Sequence, residues 1–371
     1  MKKYENNSFT IKNVGEVVSL YGWVNKTRNL GGVIFIDLRD RSGIIQLAIK
    51  PDNKYYKQAL EIKNEYVLKV EGAIIERESK NKNLNTGEIE VDVTNLEILN
   101  TSIELPFDLN NTTALEDTRL KYRYLDLRKE NLKEKLIKRH EITFAVREYF
   151  NNNGFLEIET PVLCKSTPEG ARDYLVPSRV NHGKFYALPQ SPQIFKQLLM
   201  VGGMERYFQI AKCFRDEDLR ADRQPEFTQI DVEMSFVNED DVMSMAEGMI
   251  AYVFKKVKNI DIKLPLMKMK YDDAINYYGS DKPDLRFGNE IQDITDLFKN
   301  TEFAVFKNVV EDTRGMIGAL KFENAQDKYS RKGLDKLQEF VKHGFKAKAL
   351  AYLKMANGEL TGSIVKPLSE E

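Results

Sequence analysis

Hydrophobic and polar residues alternate along residues 15–105, which predicts a series of short β-strands. The predicted strands cover residues 17–24, 33–38, 44–49, 66–75 and 88–98. A predicted helix over residues 52–63 separates the third strand from the fourth. Three strands, a helix and two further strands are the order of an OB-fold barrel. The pattern therefore predicts an OB-fold domain over residues 1–105.

The rest of the chain mixes helical and strand patterns, which makes the fold class α+β and multidomain. A linker over residues 106–130 begins with a proline and precedes a predicted helix over 131–151. A strand over 155–159 and a hairpin over 174–179 and 184–188 follow.

Residues 207–215 and 227–236 alternate most clearly and predict an antiparallel hairpin with one polar and one apolar face. Gln229, Asp231 and Glu233 belong to the polar face. Arg215 begins the connecting loop, and a guanidinium there suits a phosphate or a carboxylate. The alternative is a solvated hairpin whose charges only keep it soluble, and the pattern alone does not decide between them.

A second candidate site lies at the start of the helix after Pro189. Ser191 is the predicted N-cap and Pro192 the first helical residue. Gln193 and Lys196 are three residues apart and share a face of the first turn. A helix start beside a cation predicts a carboxylate-binding site.

The predicted barrel carries candidate nucleic-acid contacts. Phe35 on the second strand would stack on an unpaired base, Gln46 on the third would read a base edge, and Arg28 would contact phosphate. The alternative places Phe35 in the core and leaves the arginines solvated. The balance of charges over residues 1–105 favours that alternative.

Composition narrows the class of protein. The chain has 371 residues, 42% of them hydrophobic, which is enough for two or three domains. A net charge of −1 gives no global basic field, so any RNA contact is local. Cys164 and Cys213 lie far apart without histidine neighbours, which argues against disulfides and zinc and fits the cytosol. No segment has the length of a membrane span, so we expect a cytoplasmic protein.

Two strings of residues resemble a known family. Phe214-Arg215-Asp216-Glu217, followed by the string from Arg220 to Gln229, resembles motif 2 of class II aminoacyl-tRNA synthetases in its bacterial aspartyl form. The string from Gly22 to Gly31, with the string from Phe35 to Gly43, resembles the anticodon-binding domain of the aspartyl, asparaginyl and lysyl synthetases. The helix, the strand and Pro161 resemble motif 1, which implies a homodimer interface, although core packing explains the helix equally well.

The resemblance implies a domain plan and a set of roles. Residues 131–287 would be the N-terminal part of the catalytic domain and residues 288–371 a truncated insertion domain. It implies the substrates ATP, L-aspartate and tRNA(Asp), with Mg²⁺, whose ligands the sequence does not identify. Arg215 would be catalytic. The implied aspartate-binding residues are Glu169, Ser191, Gln193, Lys196, Arg215 and Asp231. The implied ATP-binding residues are Arg215, Asp216, Glu217 and Gln224, and the anticodon-binding residues are Arg28, Phe35 and Gln46.

The family's third motif, a glycine-rich segment ending in an arginine, is not recognisable after residue 236. We therefore expect an N-terminal portion of an aspartate–tRNA ligase that catalyses adenylation poorly alone. A non-catalytic module that binds a tRNA anticodon or single strand stays open as an alternative. Asparaginyl specificity also stays open, although Lys196 counts against it.

Overall fold

A computed structural model describes residues 4–109, 113–167, 169–325, 328–347, 349–356 and 358–368. The chain divides into two units, 1–144 and 145–371. Both units contain helices and sheets, which confirms the α+β class. The predicted domain boundaries at residues 105, 130 and 287 stay predictions.

A closed five-stranded barrel forms most of the first unit. Its strands are β1 Val17–Leu30, β2 Val33–Arg39, β3 Ile44–Ile49, β4 Val67–Glu76 and β5 Ile89–Asn100. They follow the order β1-β2-β3-β5-β4, with β3 and β5 parallel and the other pairs antiparallel. A short helix, α1 (Tyr56–Ala59), joins β3 to β4. The predicted OB-fold is confirmed.

Two details of the barrel prediction are wrong. The predicted helix over 52–63 shrinks to α1, although Ile62 beyond its end is buried in the barrel core together with Ala59. Strand β1 does not end at Val24 but continues through Arg28, and Leu30 pairs with Val33. Gly31 and Gly32 both have positive φ, at 60° and 83°, so they form a two-residue turn that keeps the strands paired up to their ends.

The strand alternation explains the barrel core. Inward residues such as Leu20, Ile36 and Leu47 are fully buried. Gly22 lies where the backbones approach closely, because a Cβ there would be 2.5 Å from the carbonyl oxygen of Arg39. The barrel curvature therefore requires glycine at this position.

Three helices follow the barrel: α2 (Glu116–Lys121), α3 (Arg123–Asp126) and α4 (Glu130–Asn152). The Asp126 carboxylate is fully buried and accepts hydrogen bonds from Arg119 (2.9 Å) and Arg123 (2.9 Å). The hydrogen bond from Arg119, joined by one from Lys129, lowers the pKa of Asp126 against the effect of burial.

On the barrel, buried Glu65 accepts hydrogen bonds from Arg39 at 2.7 Å and from Arg128. The Arg128–Glu65 pair thus ties the segment that follows the barrel to the barrel.

A three-stranded sheet organises the second unit. It contains β6 (Leu156–Glu157), β9 (Arg206–Phe214) and β10 (Glu226–Met234), with β9 central, antiparallel to β10 and parallel to β6. Phe150, Phe155 and Phe208 pack together behind this sheet. Strand β6 has only two residues of the predicted 155–159. A hairpin of β7 (Leu175–Pro177) and β8 (Phe185–Ala187), helix α5 (Gln193–Val201) and helix α6 (Glu239–Lys258) complete this part.

Residues after 270 form short helices and two-stranded sheets. The elements are α7 (Tyr271–Tyr278), β11 (Gln292–Asp293), α8 (Ala304–Glu311), β12 (Gly318–Ala319), α9 (Arg331–Phe345), β13 (Leu353–Ala356), β14 (Glu359–Gly362) and α10 (Val365–Leu368). Ser330 caps α9 by accepting a hydrogen bond from the Gly333 N–H. Across the described ranges, no helix is both long and apolar enough to cross a membrane.

The buried Asp126 carboxylate yields a stability prediction. Asp126→Asn should lower the melting temperature by about 5 °C, because Arg119 and Arg123 lose their buried anion. Since the pKa of Asp126 is lowered on folding, its contribution is present above pH about 4 and is lost as the pH falls further. Thermal unfolding followed by circular dichroism at several pH values measures both effects. Asp117→Asn, an exposed position in α2, is the control, and equal melting temperatures for both variants at pH 7 would refute the prediction.

Candidate active site

The polar face of the β9–β10 hairpin forms the floor of the candidate site. In the observed register Asp231 lies opposite Gln209, and Glu233 lies opposite Tyr207. This register confirms the predicted antiparallel hairpin and its polar face. The opposite face is less uniformly buried than predicted, because Ile230 is exposed.

Lys196 extends from α5 to this floor. Its Nζ lies 3.0 Å from Asp231 Oδ1 and 3.3 Å from Glu233 Oε2, and its side chain is only 13% exposed. Burial by itself lowers the pKa of Lys196, but hydrogen bonds and the charges of Asp231 and Glu233 outweigh burial and raise it. The ammonium is therefore charged and held by two carboxylates. The other oxygen of Asp231, Oδ2, is buried without a hydrogen-bond partner in the described part of the chain.

Ser191 has a different role from the predicted N-cap. Helix α5 begins at Gln193, Pro192 occupies the cap position, and no side chain caps the helix. The Ser191 Oγ instead donates a hydrogen bond to Glu169 Oε2 at 3.0 Å. The N-cap prediction was wrong because α5 begins one residue later than predicted. The Ser191 hydroxyl is bound instead by Glu169, which belongs to a loop distant in sequence. The structure therefore brings Glu169 and Ser191 together, and Gln193 lies half-buried at the start of the helix.

Arg215 lies where β9 enters the loop, as predicted. Its backbone N–H donates a hydrogen bond to the Pro225 carbonyl at 2.9 Å. Its guanidinium carbon lies 5.0 Å from the centre of the Phe227 ring. Within the described residues its guanidinium makes no ion pair with a carboxylate, so it is available to an anion. In the same loop Glu217 pairs with Arg223 at 3.6 Å, while Asp216 and Gln224 are exposed.

Cys213 lies buried in β9, opposite Phe227 of β10. The thiol is fully buried and donates a hydrogen bond to Gln229 Oε1 at 3.3 Å. Burial raises the pKa of Cys213 to about 11; Asp231 and Glu169 add to the rise, while Arg215 and Lys196 oppose it.

The sequence analysis assigned no role to Tyr207 and Gln209, which also belong to this floor. Gln209 Oε1 accepts hydrogen bonds from Tyr207 Oη and Thr160 Oγ1, each at 2.9 Å. Burial, followed by the charge of Asp231, raises the pKa of Tyr207, so its hydroxyl stays a donor. Glu233 was assigned to the polar face, but its contact with Lys196 was not foreseen. The two-residue spacing from Asp231 was the available signal.

The outer face of the barrel carries the predicted anticodon residues. Phe35 lies opposite Arg28 in the strand register and is half-exposed outside the core cluster, which contradicts the alternative of a core phenylalanine. Arg28 is not a loop residue, and it pairs with Asp37 at 2.5 Å. Gln46 is largely buried and donates to Glu90 Oε2 at 2.6 Å.

Arg77, which the sequence analysis did not single out, completes this group. Its guanidinium donates to Gln46 Oε1, which also accepts from Arg28 at 3.3 Å. The Gln46 amide is thus fixed with its oxygen toward two cations and its nitrogen toward Glu90.

The remaining predicted positions are less informative. Pro161 is exposed after β6, and its place at a dimer interface stays a prediction. Among the described residues, no group of three or more histidine, cysteine, aspartate or glutamate side chains is arranged to hold a metal ion. We therefore assign no magnesium ligand.

The fold agrees with comparisons to known proteins. The family model for class II tRNA synthetases (D, K and N) matches residues 115–350, and the model for the OB-fold nucleic acid binding domain of the anticodon-binding type matches residues 18–99. The chain belongs to the class II tRNA synthetases of the D, K and N group.

Curated relatives narrow the resemblance to one member of this group. The chain is 54% identical over 367 residues to the aspartate–tRNA ligase of Oceanobacillus iheyensis, which covers 97% of this chain and 61% of the relative. It is 53% identical over 377 residues to the aspartate–tRNA(Asp/Asn) ligase of Geobacillus sp. (strain WCH70), with 100% and 63% covered. The chain thus spans less than two thirds of the length of these relatives.

Solved structures share the fold at lower identity. Asparaginyl-tRNA synthetase from Pyrococcus horikoshii, complexed with asparaginyl-adenylate, superposes with a TM-score of 0.63 at 24% identity, over 70% of this chain and 59% of that one. The Entamoeba histolytica asparaginyl-tRNA synthetase gives a TM-score of 0.61 at 21% identity, over 73% and 64%.

The buried Lys196 pairs lead to a second stability prediction. Lys196→Met should destabilise the chain by about 3 kcal/mol, because it leaves Asp231 buried without its cation. Lys212→Met is the matched control, since Lys212 pairs with Glu226 at 2.8 Å on the exposed surface and should contribute less than about 1 kcal/mol. Urea unfolding of both variants measures the difference. Similar midpoints for the two variants would contradict the buried-cation interpretation.

Proposed function

We propose that this chain takes part in the ATP-dependent activation of L-aspartate to aspartyl-adenylate and in its transfer to tRNA(Asp). The observation that carries the proposal is the buried ammonium of Lys196 on the hairpin floor. An ammonium has three donors, and Asp231 and Glu233 use two of them. The third is available for the side-chain carboxylate of aspartate.

The same floor suits the other end of the amino acid. The unpartnered Asp231 Oδ2 would accept a hydrogen bond from the substrate ammonium, because a buried carboxylate oxygen without a donor is costly. Ser191 and Gln193 would bind the amino group beside it, and Glu169 would close this side of the pocket. These residues would select aspartate over lysine, which needs an anion where this chain provides Lys196.

Arg215 would act on the phosphate. In the activation step a carboxylate oxygen of aspartate forms a bond to the α-phosphorus of ATP, and the bond from that phosphorus to the pyrophosphate oxygen breaks. The guanidinium of Arg215, held on Phe227, would stabilise the negative charge that develops on the α-phosphate. Asp216, Glu217 and Gln224 in the same loop would contact the rest of ATP. Positioning and charge account for this chemistry without a covalent intermediate on the protein.

The barrel would bind the anticodon of tRNA(Asp). Phe35 would stack on an unpaired base. Gln46 would read a base edge by exchanging one of its present contacts with Arg28, Arg77 or Glu90, and Arg28 would approach phosphate by leaving Asp37. Pro161 and the α4 helix would belong to a homodimer interface. Cys164 and Cys213 are free thiols, which suits a cytoplasmic protein.

A non-catalytic tRNA-binding module is the second candidate, because the half-exposed Phe35 on the barrel would serve tRNA binding without catalysis as well. ATP–pyrophosphate exchange with aspartate, run beside filter binding of tRNA, separates the two functions. Binding of tRNA together with failure to bind an aspartyl-adenylate analogue would support the module. Replacing aspartate by asparagine in the exchange assay tests the amino-acid specificity.

The role of Arg215 is tested by Arg215→Ala. In an enzyme of the full length of the curated relatives, the exchange rate should fall about 100-fold or more, because removal of one positioned donor costs about 3 kcal/mol of transition-state stabilisation. Calorimetric affinity for a non-hydrolysable aspartyl-adenylate analogue provides a second measurement that needs no turnover. Arg179→Ala, an exposed arginine before the β7–β8 turn, is the control. Unchanged rate and affinity in Arg215→Ala would remove this assignment.

The anticodon assignment is tested by Phe35→Leu. Affinity for tRNA(Asp) should fall about tenfold, because stacking of a base on an aromatic ring contributes about 1–3 kcal/mol. Filter binding at fixed salt measures the change. Tyr21→Leu removes a half-exposed aromatic from β1 and should leave the affinity unchanged. A loss of equal size in both variants would exclude a specific stacking role for Phe35.

A further inference from the structure

Gln190 is a buried glutamine to which the proposed chemistry gives no role. Only 3% of it is exposed, and it directly precedes Ser191. Its Oε1 accepts a hydrogen bond from the Ala171 N–H at 3.2 Å, and its Nε2 donates to the Ala171 carbonyl at 2.9 Å. One side-chain amide therefore binds both backbone groups of a single residue, as a neighbouring strand would.

The residue that Gln190 binds belongs to the loop that carries Glu169. We define the Glu169 loop as residues 166, 167 and 169–173. Asp173 Oδ2 closes the two ends of this loop by accepting hydrogen bonds from Ser166 Oγ at 2.6 Å and from the Thr167 N–H at 3.2 Å. Gln190 Nε2 also donates to Asp173 Oδ1. Burial opposes ionisation of Asp173, but these hydrogen bonds lower its pKa, so the carboxylate stays an acceptor at neutral pH.

A second contact ties this loop to the candidate site. The Asp216 N–H donates to the Arg172 carbonyl at 2.9 Å, so the Glu169 loop is paired with the loop that begins at Arg215. Glu169 is two residues from Ala171, and a chain spans at most about 3.6 Å per residue. When Gln190 holds Ala171, the Glu169 backbone stays within about 7 Å of Ala171. The Glu169 side chain then stays within reach of Ser191.

We infer that Gln190 is a positioning residue that clamps the Glu169 loop to the floor and thereby fixes the Glu169 carboxylate beside Ser191. The inference deepens the proposed activation of aspartate and rests on it for the role of Glu169. The clamp itself is inferred from the hydrogen bonds of Gln190 with Ala171 and Asp173, which do not depend on a bound substrate. Loss of the Gln190 amide frees the loop while the β9–β10 hairpin and Lys196 stay in place.

Limited proteolysis tests the clamp directly. Trypsin cleaves after Arg172, whose side chain is exposed and whose carbonyl accepts a hydrogen bond from the Asp216 N–H. Gln190→Met keeps the side-chain length and removes its hydrogen bonds, so cleavage after Arg172 should become about tenfold faster. Gln197→Met makes the same change at an exposed position of α5 and should leave the rate unchanged. Equal cleavage rates in the two variants would overturn the inference.

Gln190→Glu supplies a second variant in case the methionine disturbs folding. It keeps an acceptor for the Ala171 N–H, loses the donor to the Ala171 carbonyl and places a negative charge beside Asp173. Cleavage after Arg172 should again accelerate, and by more than the fall in melting temperature caused by the added buried charge accounts for. A fall in melting temperature with no faster cleavage would mean that Gln190 only supports the fold.

The link to Glu169 is tested by a double-mutant cycle on the full chain. Calorimetry measures the Kd for L-aspartate in Gln190→Met, Glu169→Gln and the double variant. Each single change should raise the Kd about tenfold, and the double variant should bind no more weakly than Glu169→Gln alone, because both changes remove the same contact. Additive losses would overturn the positioning role. If the unaltered chain does not bind aspartate, the proposed function fails, whereas the trypsin comparison still decides whether Gln190 holds the loop.

Discussion

The register of the β9–β10 hairpin is the constraint on which the candidate active site depends. A slip of one residue in either strand would turn its side chains to the opposite face. Lys196 would then meet Ile230 and Val232 instead of Asp231 and Glu233. The aromatic cluster behind the sheet, with Phe150 stacked on Phe208 at 4.9 Å, opposes such a slip because Phe208 would have to leave the core.

This arrangement places charge where water is scarce. Two carboxylates and one ammonium leave a local excess of negative charge around Lys196, and burial makes such an imbalance costly. The two carboxylates leave one donor of the Lys196 ammonium unused. The free site is therefore electrostatically incomplete, which is what the proposed binding of an amino acid requires.

Local features of the fold were predictable from the sequence, and contacts between distant segments were not. Alternation with a period of two is a property of neighbouring residues, so it located the hairpin and the barrel strands to within a few residues, except for the last six residues of β1. Ser191 was misassigned because its partner, Glu169, comes from another loop. Gln190 and Arg77 were not singled out for the same reason: each acts through a side chain that only the folded chain brings near. Residue roles in the site came from family resemblance, since spacing alone left a solvated hairpin equally open.

The buried Glu65 has a consequence for dissecting the chain. Its carboxylate is shared between Arg39 of the barrel and Arg128 of the following segment, and the Arg128 guanidinium lies 5.3 Å from the centre of the Trp23 ring. A fragment ending at residue 105 would remove one counterion from Glu65 and the guanidinium from the Trp23 ring. An autonomous barrel for spectroscopy or crystallisation must therefore extend past Arg128, although the strand pattern ends long before it.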